Sequence, residues 1–473
     1  MLKFNPILST DSYKLSHFPV YPDNVRGMCA YIEPRIRSNN LVTLFGLQMW
    51  IKKFLANPVK LEHIDEAEVF AKLHGEPFHR AGWEKIVREY GGIAPIKIDA
   101  VPEGLPLPAG LPLVAISCTD QDLWWVVSYL ETSLQRGVWY PTTIASRDYD
   151  IKKSISHLYR QTGADISGVG FALHDFGARG VSSSESAEIG GAAHLVNFLG
   201  SDNIEGVRAA NYYYYSDMSG FSVPATEHSI ECSYGSDGEN EYLRKVLDVY
   251  AKPGAIVSIV IDGYNVYRAA EALCTTFKDQ IIASDAKVVF RPDSGDMLEV
   301  VPRILDMQAS AFGFDVNRKG YKKIRHVGII QGDGVDSMRI KSLLGKMAVM
   351  GYSADNVVFG SGGALLQKVD RDTMKFAQKT SAILVDKMLV GAHGGVVVKQ
   401  WIPVSKNPIT DPGKTSKAGR VITVRSLLTG EYSCHSLSEQ LDVEYENIMR
   451  TVFENDVLLV DETLDKIRSR CVV

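Results

Sequence analysis

Three stretches between residues 288 and 366 share one pattern, an apolar run that stops at a loop rich in glycine and aspartate. They are VVFRPDSGD at 288–296, VGIIQGDGVD at 327–336 and VVFGSGGALL at 357–366. Each apolar run predicts a buried strand. Between the runs, the segments MLEVVPRILDMQ and DSMRIKSLLGKM carry apolar residues three and four positions apart, which predicts amphipathic helices. The repeating unit is therefore strand, polar loop, helix.

Segments upstream follow the same rule, with an apolar run that ends in polar residues. They are GFALHDFGARG at 170–180, AAHLVNFLGSDN at 192–203, FSVPATEHS at 221–229 and AIVSIVIDGYNVY at 255–267. Strand ends that recur roughly every 25–35 residues predict an irregular (β/α) barrel. The loops at the C-terminal ends of parallel strands share one face, and α/β barrels hold their chemistry on that face.

The two ends of the chain have a different pattern. The stretch IKIDAVPEGLPLPAGLPLVAIS at 96–117 is punctuated by proline and glycine, which predicts antiparallel strands and turns. A strongly apolar helix is predicted over 124–140, a second helix over 369–379 (VDRDTMKFAQK), and a Gly-Gly hairpin within 383–404. We therefore predict an α/β protein in which a barrel domain, 151–380, is joined to a mixed β domain built from 1–150 and 381–473.

Composition narrows the classes of function. Of the 473 residues 45% are hydrophobic, and the formal net charge is −5, which gives no support to a nucleic-acid or membrane-surface role. No apolar run approaches the ~18 residues of a membrane span, and the first residues lack the apolar segment of a signal peptide. The six cysteines form no CxxC or His-Cys cluster. This argues against zinc and against a disulfide framework, and it favours a reducing cytoplasm.

The barrel loops carry residues suited to a phosphorylated substrate. Arg291, Asp293, Asp333 and Ser361 would converge there, beside glycines whose backbone N–H groups can approach an anion. This set of residues suits a substrate that carries phosphate and hydroxyl groups and binds a metal ion. The alternative is that Gly and Asp are ordinary turn residues, but three such loops in register favour a site.

Two short motifs resemble known signatures and are incomplete. DFG at 175–177 matches the metal-binding tripeptide of protein kinases, but no HRD catalytic loop precedes it. GKT at 413–415 matches the end of a P-loop, but Pro408 stands at the position, five residues earlier, where that motif requires a glycine. The basic segment 406–420 is then either a solvated loop or a source of lysines for a phosphate.

A series of motifs covers nearly the whole chain: TDSYK, HDFGARG, GSD, SVPATEHS, RPDSGD, QGDGVD and FGSGGALLQK. In this order they resemble the nicotinate/nicotinamide phosphoribosyltransferase family, and within it the enzymes that act on nicotinamide. The resemblance implies transfer of the 5-phosphoribosyl group from phosphoribosyl pyrophosphate to nicotinamide, which gives nicotinamide mononucleotide and pyrophosphate in NAD salvage. It also implies a homodimer with shared active sites, Mg²⁺, and ATP as an optional coupled substrate.

The resemblance also assigns roles to residues. It implies that the catalytic set is His228, Asp293 and Arg291. It implies that substrate is bound by Tyr13 of the other subunit and by Phe176, Arg179, Asp202, Ser258, Pro292, Gly332, Asp333, Gly362, Gly363, Arg371, Lys379, Lys406 and Lys414. Of these, Arg179, His228 and Arg291 would contact pyrophosphate, Asp293, Gly332 and Asp333 the ribose, and Gly362, Gly363 and Arg371 the 5-phosphate. Phe176 and Tyr13 would sandwich the pyridine ring.

Asp202 is the residue that would decide the substrate. A carboxylate there accepts a hydrogen bond from the carboxamide of nicotinamide and repels the carboxylate of nicotinate. His228 is, by resemblance, the residue phosphorylated when ATP hydrolysis is coupled to transfer. Ala178 and Ala364 replace the Tyr and the Gly found at the matching positions of related enzymes, and we expect both changes to tune the site.

Other functions remain as alternatives. A nicotinate phosphoribosyltransferase would catalyse the related reaction on the acid, and Asp202 argues against it. A barrel aldolase or isomerase acting on a phosphosugar would need a lysine inside a strand near its C-terminal end, whereas Lys287 opens its predicted strand. A phosphate-binding protein without catalysis is the remaining class.

Overall fold

The computed structural model describes residues 4–36, 41–391, 394–411, 414–437 and 443–473. The chain divides into two compact units. We call residues 1–146, 213–215 and 369–471 the terminal unit, and residues 147–212, 216–368 and 472–473 the central unit.

The strands, in chain order, are β1 Val25–Pro34, β2 Leu41–Thr43, β3 Ile96–Ala100, β4 Pro106–Pro108, β5 Val114–Cys118, β6 Leu173–Asp175, β7 Gly200–Ser201, β8 Ile256–Val260, β9 Lys287–Arg291, β10 Phe314–Val316, β11 Lys322–Ile324, β12 Val327–Gln331, β13 Val357–Ser361, β14 Phe376–Gly391, β15 Gly394–Pro403, β16 Val421–Ser426, β17 Tyr432–Ser436, β18 Tyr445–Asn447, β19 Arg450–Glu454 and β20 Val457–Leu458.

The α-helices, in chain order, are α1 Leu47–Trp50, α2 Leu61–His74, α3 Arg80–Tyr90, α4 Val126–Tyr129, α5 Glu131–Thr162, α6 Ser184–His194, α7 Ile204–Tyr213, α8 His228–Ser233, α9 Glu239–Tyr250, α10 Val266–Cys274, α11 Lys278–Ser284, α12 Met297–Phe312, α13 Ser337–Val349, α14 Gly363–Leu366 and α15 Leu464–Arg468. Among the described residues, none of these helices is both long and apolar enough to cross a membrane.

The central unit is built on a parallel sheet in the order β7-β6-β13-β12-β9-β8. The segment 221–225 connects its two edges, because Phe221 makes a parallel bridge to Gly200 of β7 and Ala225 makes one to Ser258 of β8. The sheet therefore curls into an irregular barrel. All residues of β12 are buried, as expected for a parallel strand covered on both faces.

Several of the loop aspartates and glycines have structural roles. Asp296 accepts a hydrogen bond from the backbone N–H of Leu298 and caps α12, and Asp336 caps α13 in the same way. Gly295 and Gly334 have positive φ angles of 83° and 63°, which favour glycine. For these residues the turn interpretation is therefore correct.

The terminal unit contains a sheet in the order β15-β14-β1-β5-β3-β19-β20, whose strands pair antiparallel. Its strands come from both ends of the chain, and a large apolar core that includes Trp50, Trp83 and Trp125 packs within this unit. The predicted fold class, a barrel plus a mixed β domain from the two termini, is thus confirmed. The predicted β3 to β5 segment and the β14–β15 hairpin are also present, with residues 392–393 of the turn outside the described residues.

Two helix predictions in this part of the chain need correction. The apolar helix expected over 124–140 is divided into α4 and α5. The helix expected over 369–379 is wrong. Asp370 caps a single 3₁₀ turn, Arg371–Thr373, and β14 starts at Phe376. Lys375 between them has a φ of 53°, a left-handed conformation that no α-helix can continue through.

Candidate functional site

The C-terminal ends of the parallel strands bring the predicted central-unit residues to one edge of the barrel. Strand β6 leads into Phe176, β7 into Asp202, β9 into Pro292 and Asp293, β12 into Gly332 and Asp333, and β13 into Gly362. Because these strands run in register, the loops that follow them are neighbours.

Arg291 and Asp293 form the centre of this edge. The Arg291 guanidinium donates a hydrogen bond to the backbone oxygen of Thr226 at 2.5 Å, and its Nε lies 3.5 Å from Asp293 Oδ2. Burial raises the pKa of Asp293, Asp262 and Asp333 add to that effect, and Arg291 and His228 oppose it. Asp293 Oδ1 is buried and has no hydrogen-bond partner among the described residues. This carboxylate therefore keeps an acceptor atom for a ligand.

His228 begins α8 and is held by a carboxylate that sequence reasoning did not assign to the site. Its Nε2 lies 2.9 Å from Asp262 Oδ1, and the imidazole is 47% exposed while Asp262 is 3% exposed. Asp262 ends a predicted strand, which is the signal that identifies it. One helical turn on, Glu231 Oε2 accepts a hydrogen bond from Gly263 at 3.0 Å, and burial raises the pKa of Glu231 to about 7.

Asp202 is exposed, and its immediate surroundings fix its position. Its backbone N–H donates to the Asp175 carbonyl at 3.0 Å, and the Ser222 hydroxyl donates to Oδ1 at 2.6 Å. Asp175 itself is fully buried and accepts from Gly177 and from the Asn203 amide. Asp175 therefore shapes the loop, whereas the Asp202 carboxylate faces solvent with an oxygen available to a ligand.

Phe176 is placed by a glycine on the neighbouring strand. A Cβ built on Gly360 would lie 1.9 Å from Phe176 Cε2, so the ring occupies the space that a side chain at 360 would fill. The Phe176 backbone N–H donates to the Ser361 carbonyl at 3.0 Å. Arg179 lies exposed in the turn Ala178–Gly180.

Two glycine loops border the same edge. Gly332 packs against Asp293, since an added Cβ would lie 2.3 Å from Asp293 Oδ1. The Arg147 guanidinium donates to the carbonyl oxygens of Ala364 and Lys368, and so holds the loop that contains Gly362 and Gly363. No described atom comes within 3.7 Å of a Cβ built on Gly362, so the backbone there is open to a ligand.

A cavity of about 380 Å³ lies within the central unit. Apolar side chains dominate its walls: Phe171, Phe221, Ile256, Val289, Ile330 and Val358. Ser222, Ser258 and His174 supply polar groups, and further polar or charged residues line the rest of the cavity: Asp165, Lys287, Lys323, Asp355 and Asn356. The Ser258 hydroxyl has no partner among the described residues, and burial lowers the pKa of His174 to about 4. Such a chamber suits a flat, mostly apolar ring with a polar substituent.

The other predicted residues belong to the terminal unit. Tyr13 is about half exposed and lies edge-on to His17. Lys379 is in β14, and burial lowers its pKa. Glu131 opposes that effect, and the cations Arg35, Lys406 and Lys14 add to it. The structure thus brings Lys379 and Lys406 into one basic cluster, to which Lys14 and Arg35 belong although sequence reasoning did not place them there.

Lys414 and Arg371, also in the terminal unit, make their contacts outside this cluster. Lys414 forms an ion pair with Asp411 at 3.0 Å, and Gly413 of the GKT motif lies outside the described residues. Arg371 is exposed and contacts Asp372 at 3.1 Å. Within the described residues, no group of three or more His, Cys, Asp or Glu side chains is arranged to hold a metal ion alone.

Comparison with known proteins agrees with this arrangement. Residues 171–457 match the model of the nicotinate phosphoribosyltransferase (NAPRTase) family, and residues 5–98 match the nicotinamide phosphoribosyltransferase N-terminal domain. The chain is 46% identical to nicotinamide phosphoribosyltransferase of Xanthomonas campestris pv. campestris (strain 8004), over 98% of this chain and 97% of that protein. It is 30% identical to the nicotinamide phosphoribosyltransferase of Acinetobacter baylyi, over 99% and 97% of the two chains.

Solved structures resemble the whole fold. Nicotinate-nucleotide pyrophosphorylase from Pyrococcus furiosus superposes with a TM-score of 0.61 at 14% identity and covers 100% of this chain and 97% of its own. Human nicotinic acid phosphoribosyltransferase gives a TM-score of 0.54 at 14% identity, with 98% and 92% covered. At this identity the likeness concerns the fold alone. The family model matches most of the chain, and one relative is 46% identical to it over nearly its whole length. The chain therefore belongs to the nicotinate phosphoribosyltransferase family.

Proposed function

We propose that this enzyme is a nicotinamide phosphoribosyltransferase, which transfers the 5-phosphoribosyl group from phosphoribosyl pyrophosphate to the ring nitrogen of nicotinamide. The products are nicotinamide mononucleotide and pyrophosphate, and the pathway is NAD salvage. The observation that carries the proposal is the position of Asp202 beside Ser222, which lines the apolar cavity, at the edge that also holds Arg291 and Asp293. The names of the 46% and 30% relatives support it.

Cleavage of the bond between ribose C1 and pyrophosphate leaves positive charge on the ribose and negative charge on the leaving group. Fixed cations at the pyrophosphate therefore stabilise the transition state. We assign that role to Arg179 and Arg291, and His228 would contact the pyrophosphate beside them. Arg291 is held in place by the Thr226 carbonyl, so little reorganisation is needed when the charge develops.

The ribose and the 5-phosphate would be held by the glycine loops. Asp293, with its unpartnered buried oxygen, and Asp333 accept from the ribose hydroxyls, and Gly332 lets Asp293 lie against the backbone. The open backbone at Gly362 and Gly363 would hold the 5-phosphate. These assignments place the ribose between the 5-phosphate and the pyrophosphate, as the substrate requires.

The pyridine ring would stack on Phe176, and stacking fixes the direction of the attacking nitrogen. We propose a homodimer in which Tyr13 of the partner subunit covers the other face of the ring. The half exposure of Tyr13 supports this role. In the same dimer, Arg371, Lys379, Lys406 and Lys414 of the terminal unit would bind phosphate groups. The basic cluster around Lys379 supports that assignment for Lys379 and Lys406.

Asp202 would select the base. One carboxylate oxygen already accepts from Ser222, and the other can accept from the carboxamide NH₂ of nicotinamide. Nicotinate would bring its own carboxylate against Asp202, which is repulsive. Ser258, whose hydroxyl lacks a partner among the described residues, offers a second polar contact inside the cavity.

Mg²⁺ and ATP belong to the proposal as ligands. Mg²⁺ is usually bound by one or two carboxylates together with substrate phosphates, and Asp262, close to Asp293, fits that donor set while Asp293 holds the ribose. When bound, the ion would neutralise charge on the pyrophosphate. In ATP coupling, a bond would form between His228 Nδ1 and the γ-phosphorus of ATP while the bond to the bridging oxygen breaks and ADP leaves. Nδ1 is the nitrogen assigned because Nε2 faces Asp262.

We also propose a reducing compartment, the cytoplasm. The six cysteines of the sequence form no CxxC or His-Cys cluster, which fits such a compartment.

The proposal is tested by replacing Asp293 while measuring nicotinamide mononucleotide formed from phosphoribosyl pyrophosphate, Mg²⁺ and nicotinamide. We expect Asp293→Ala to reduce kcat/KM by roughly a hundredfold or more, since it removes a contact to the reacting sugar. Asp296→Asn is the matched control, because it lies in the same loop and asparagine caps a helix as well as aspartate does. Turnover that is unchanged by Asp293→Ala, or absent in the parent enzyme, would contradict the proposal.

A further inference from the structure

A buried polar pair lies behind strand β7 and has no part in the chemistry described above. Asp148 on α5 and His194 at the end of α6 are both fully buried, and Asp148 Oδ2 lies 2.7 Å from His194 Nδ1. The other ring nitrogen, Nε2, lies 3.0 Å from the carbonyl oxygen of Gly200. Gly200 starts β7 and is two residues before Asp202.

The hydrogen-bond partners determine where the protons are. A carbonyl oxygen only accepts, so His194 Nε2 must carry the hydrogen that points to Gly200. The Asp148–Nδ1 contact then holds one further proton, whichever of the two atoms it is bound to. Asp148 thereby fixes the tautomer and the ring orientation of His194, and His194 in turn holds the Gly200 carbonyl.

The backbone of β7 pairs with β6 on one side and with Phe221 on the other, and the His194 ring adds a side-chain hydrogen bond to its first carbonyl oxygen. Strand β7 is only two residues long, and a Cβ on Gly200 would lie 2.5 Å from His174 Nδ1, so the strand packs closely against β6. The backbone N–H of Ser201 donates to the Phe221 carbonyl at 2.9 Å, and the hydroxyl of the next residue, Ser222, donates to the Asp202 carboxylate. The positions of the Ser222 hydroxyl and of the Asp202 carboxylate therefore depend on the position of β7.

From these contacts we infer that Asp148 and His194 are positioning residues that fix β7 and, through it, the Asp202 carboxylate. The inference rests on the proposed function. The pair would set the KM for nicotinamide and the preference for nicotinamide over nicotinate, without contacting either base.

Stability alone is a weak reason for such a pair. Replacing a buried ion pair with apolar residues is often neutral or stabilising, because burial of the charges costs about as much as their attraction returns. Here Asp148 Oδ1 is also buried without a partner among the described residues, which adds to that cost. The geometry indicates instead that the pair serves to fix the position of β7.

The test compares Asp148→Ala, His194→Ala and the double variant with Asp148→Asn. Asparagine can donate from its amide to Nδ1 and leave the Nε2–Gly200 bond intact, so it keeps the chain of hydrogen bonds without the charge. Asp148→Ser is the second truncation if Asp148→Ala does not fold. Thr162→Val is the control for general destabilisation, because Thr162 is a fully buried polar residue on the same helix and bonds Ala354 instead of β7.

The readouts are kcat and KM for nicotinamide, for nicotinate and for phosphoribosyl pyrophosphate, with thermal unfolding alongside. We expect the alanine variants to raise the KM for nicotinamide about tenfold and to reduce the preference for nicotinamide by a similar factor, while the KM for phosphoribosyl pyrophosphate changes less than about twofold. Asp148→Asn should stay within about threefold of the parent. The double variant should lose no more than each single one, since the two residues act as a unit.

Failure of this inference differs from failure of the proposed function. A parent preference for nicotinamide that survives Asp148→Ala and His194→Ala would overturn the inference alone. Equal losses in Thr162→Val would also overturn it, because they would show a purely structural effect. A parent enzyme that releases pyrophosphate with neither base would refute the proposed function, and this inference with it.

Discussion

Replacing Gly360 with alanine should separate binding of the pyridine ring from binding of the phosphoribosyl donor. A Cβ at 360 would lie 1.9 Å from Phe176 Cε2. Ordinary carbon–carbon contacts are about 3.5–4.0 Å, so the ring must withdraw by roughly 1.6–2 Å. The Phe176 backbone is fixed by its bond to the Ser361 carbonyl, so the side chain must take up the displacement.

A ring displaced this far no longer lies parallel to the substrate ring. Loss of stacking is worth about 0.5–1.5 kcal/mol, and misplacement of a reacting group by about 1 Å can cost up to roughly a hundredfold. We therefore expect kcat/KM for nicotinamide to fall about ten- to a hundredfold in steady-state assays of pyrophosphate release, with the KM for phosphoribosyl pyrophosphate nearly unchanged. The control is Gly345→Ala in α13, where no atom lies within 4 Å of the new Cβ. Unchanged nicotinamide kinetics in Gly360→Ala would refute the role given to Phe176.

Further predictions concern the donor site and pH. Gly332→Ala places a Cβ 2.3 Å from Asp293 Oδ1, so it should raise the KM for phosphoribosyl pyrophosphate about tenfold and leave the KM for nicotinamide alone; a larger effect on nicotinamide would argue against the ribose assignment. Glu231 has a pKa of about 7 in the folded protein against 4.5 as its ordinary value. The folded state therefore binds more protons between those pH values, and the free energy of unfolding falls as pH rises through that window. Denaturant unfolding at about pH 5 and about pH 8 should show Glu231→Gln gaining stability relative to the parent at the higher pH, and an equal difference at both would contradict this.

The barrel strands were predictable because parallel strands covered on both faces are continuous apolar runs, and the runs that end at Arg291, Gln331 and Ser361 are of this kind. The structure of segment 369–379 was not predictable, because its apolar spacing fits a helix. The left-handed backbone at Lys375 and the pairing of β14 with β1 instead make it a turn followed by a strand. Tertiary pairing overrode the local pattern there.

The site shows the same division. Asp293 and Asp202 follow predicted strands, so their shared edge could be inferred from topology. The sequence could not show which aspartates cap helices. Asp296 and Asp336 resemble Asp293 in sequence, but their side chains accept hydrogen bonds from backbone N–H groups two residues on. The contact of Ser222 with Asp202 joins residues 20 positions apart and depends on the bridge between Gly200 and Phe221. The contact of Asp148 with His194 joins residues 46 positions apart and depends on how α5 and α6 pack.

The central claim is tested most directly by competition between nicotinamide and nicotinate for phosphoribosyl pyrophosphate, in the parent enzyme and in Asp202→Asn. An asparagine at 202 still accepts from a carboxamide but no longer repels a carboxylate. We expect a strong preference for nicotinamide in the parent and a loss of at least about tenfold of that preference in the variant, mainly through a gain with nicotinate. A parent that prefers nicotinate, or a variant with an unchanged preference, would contradict the assignment of Asp202 as the residue that selects the base.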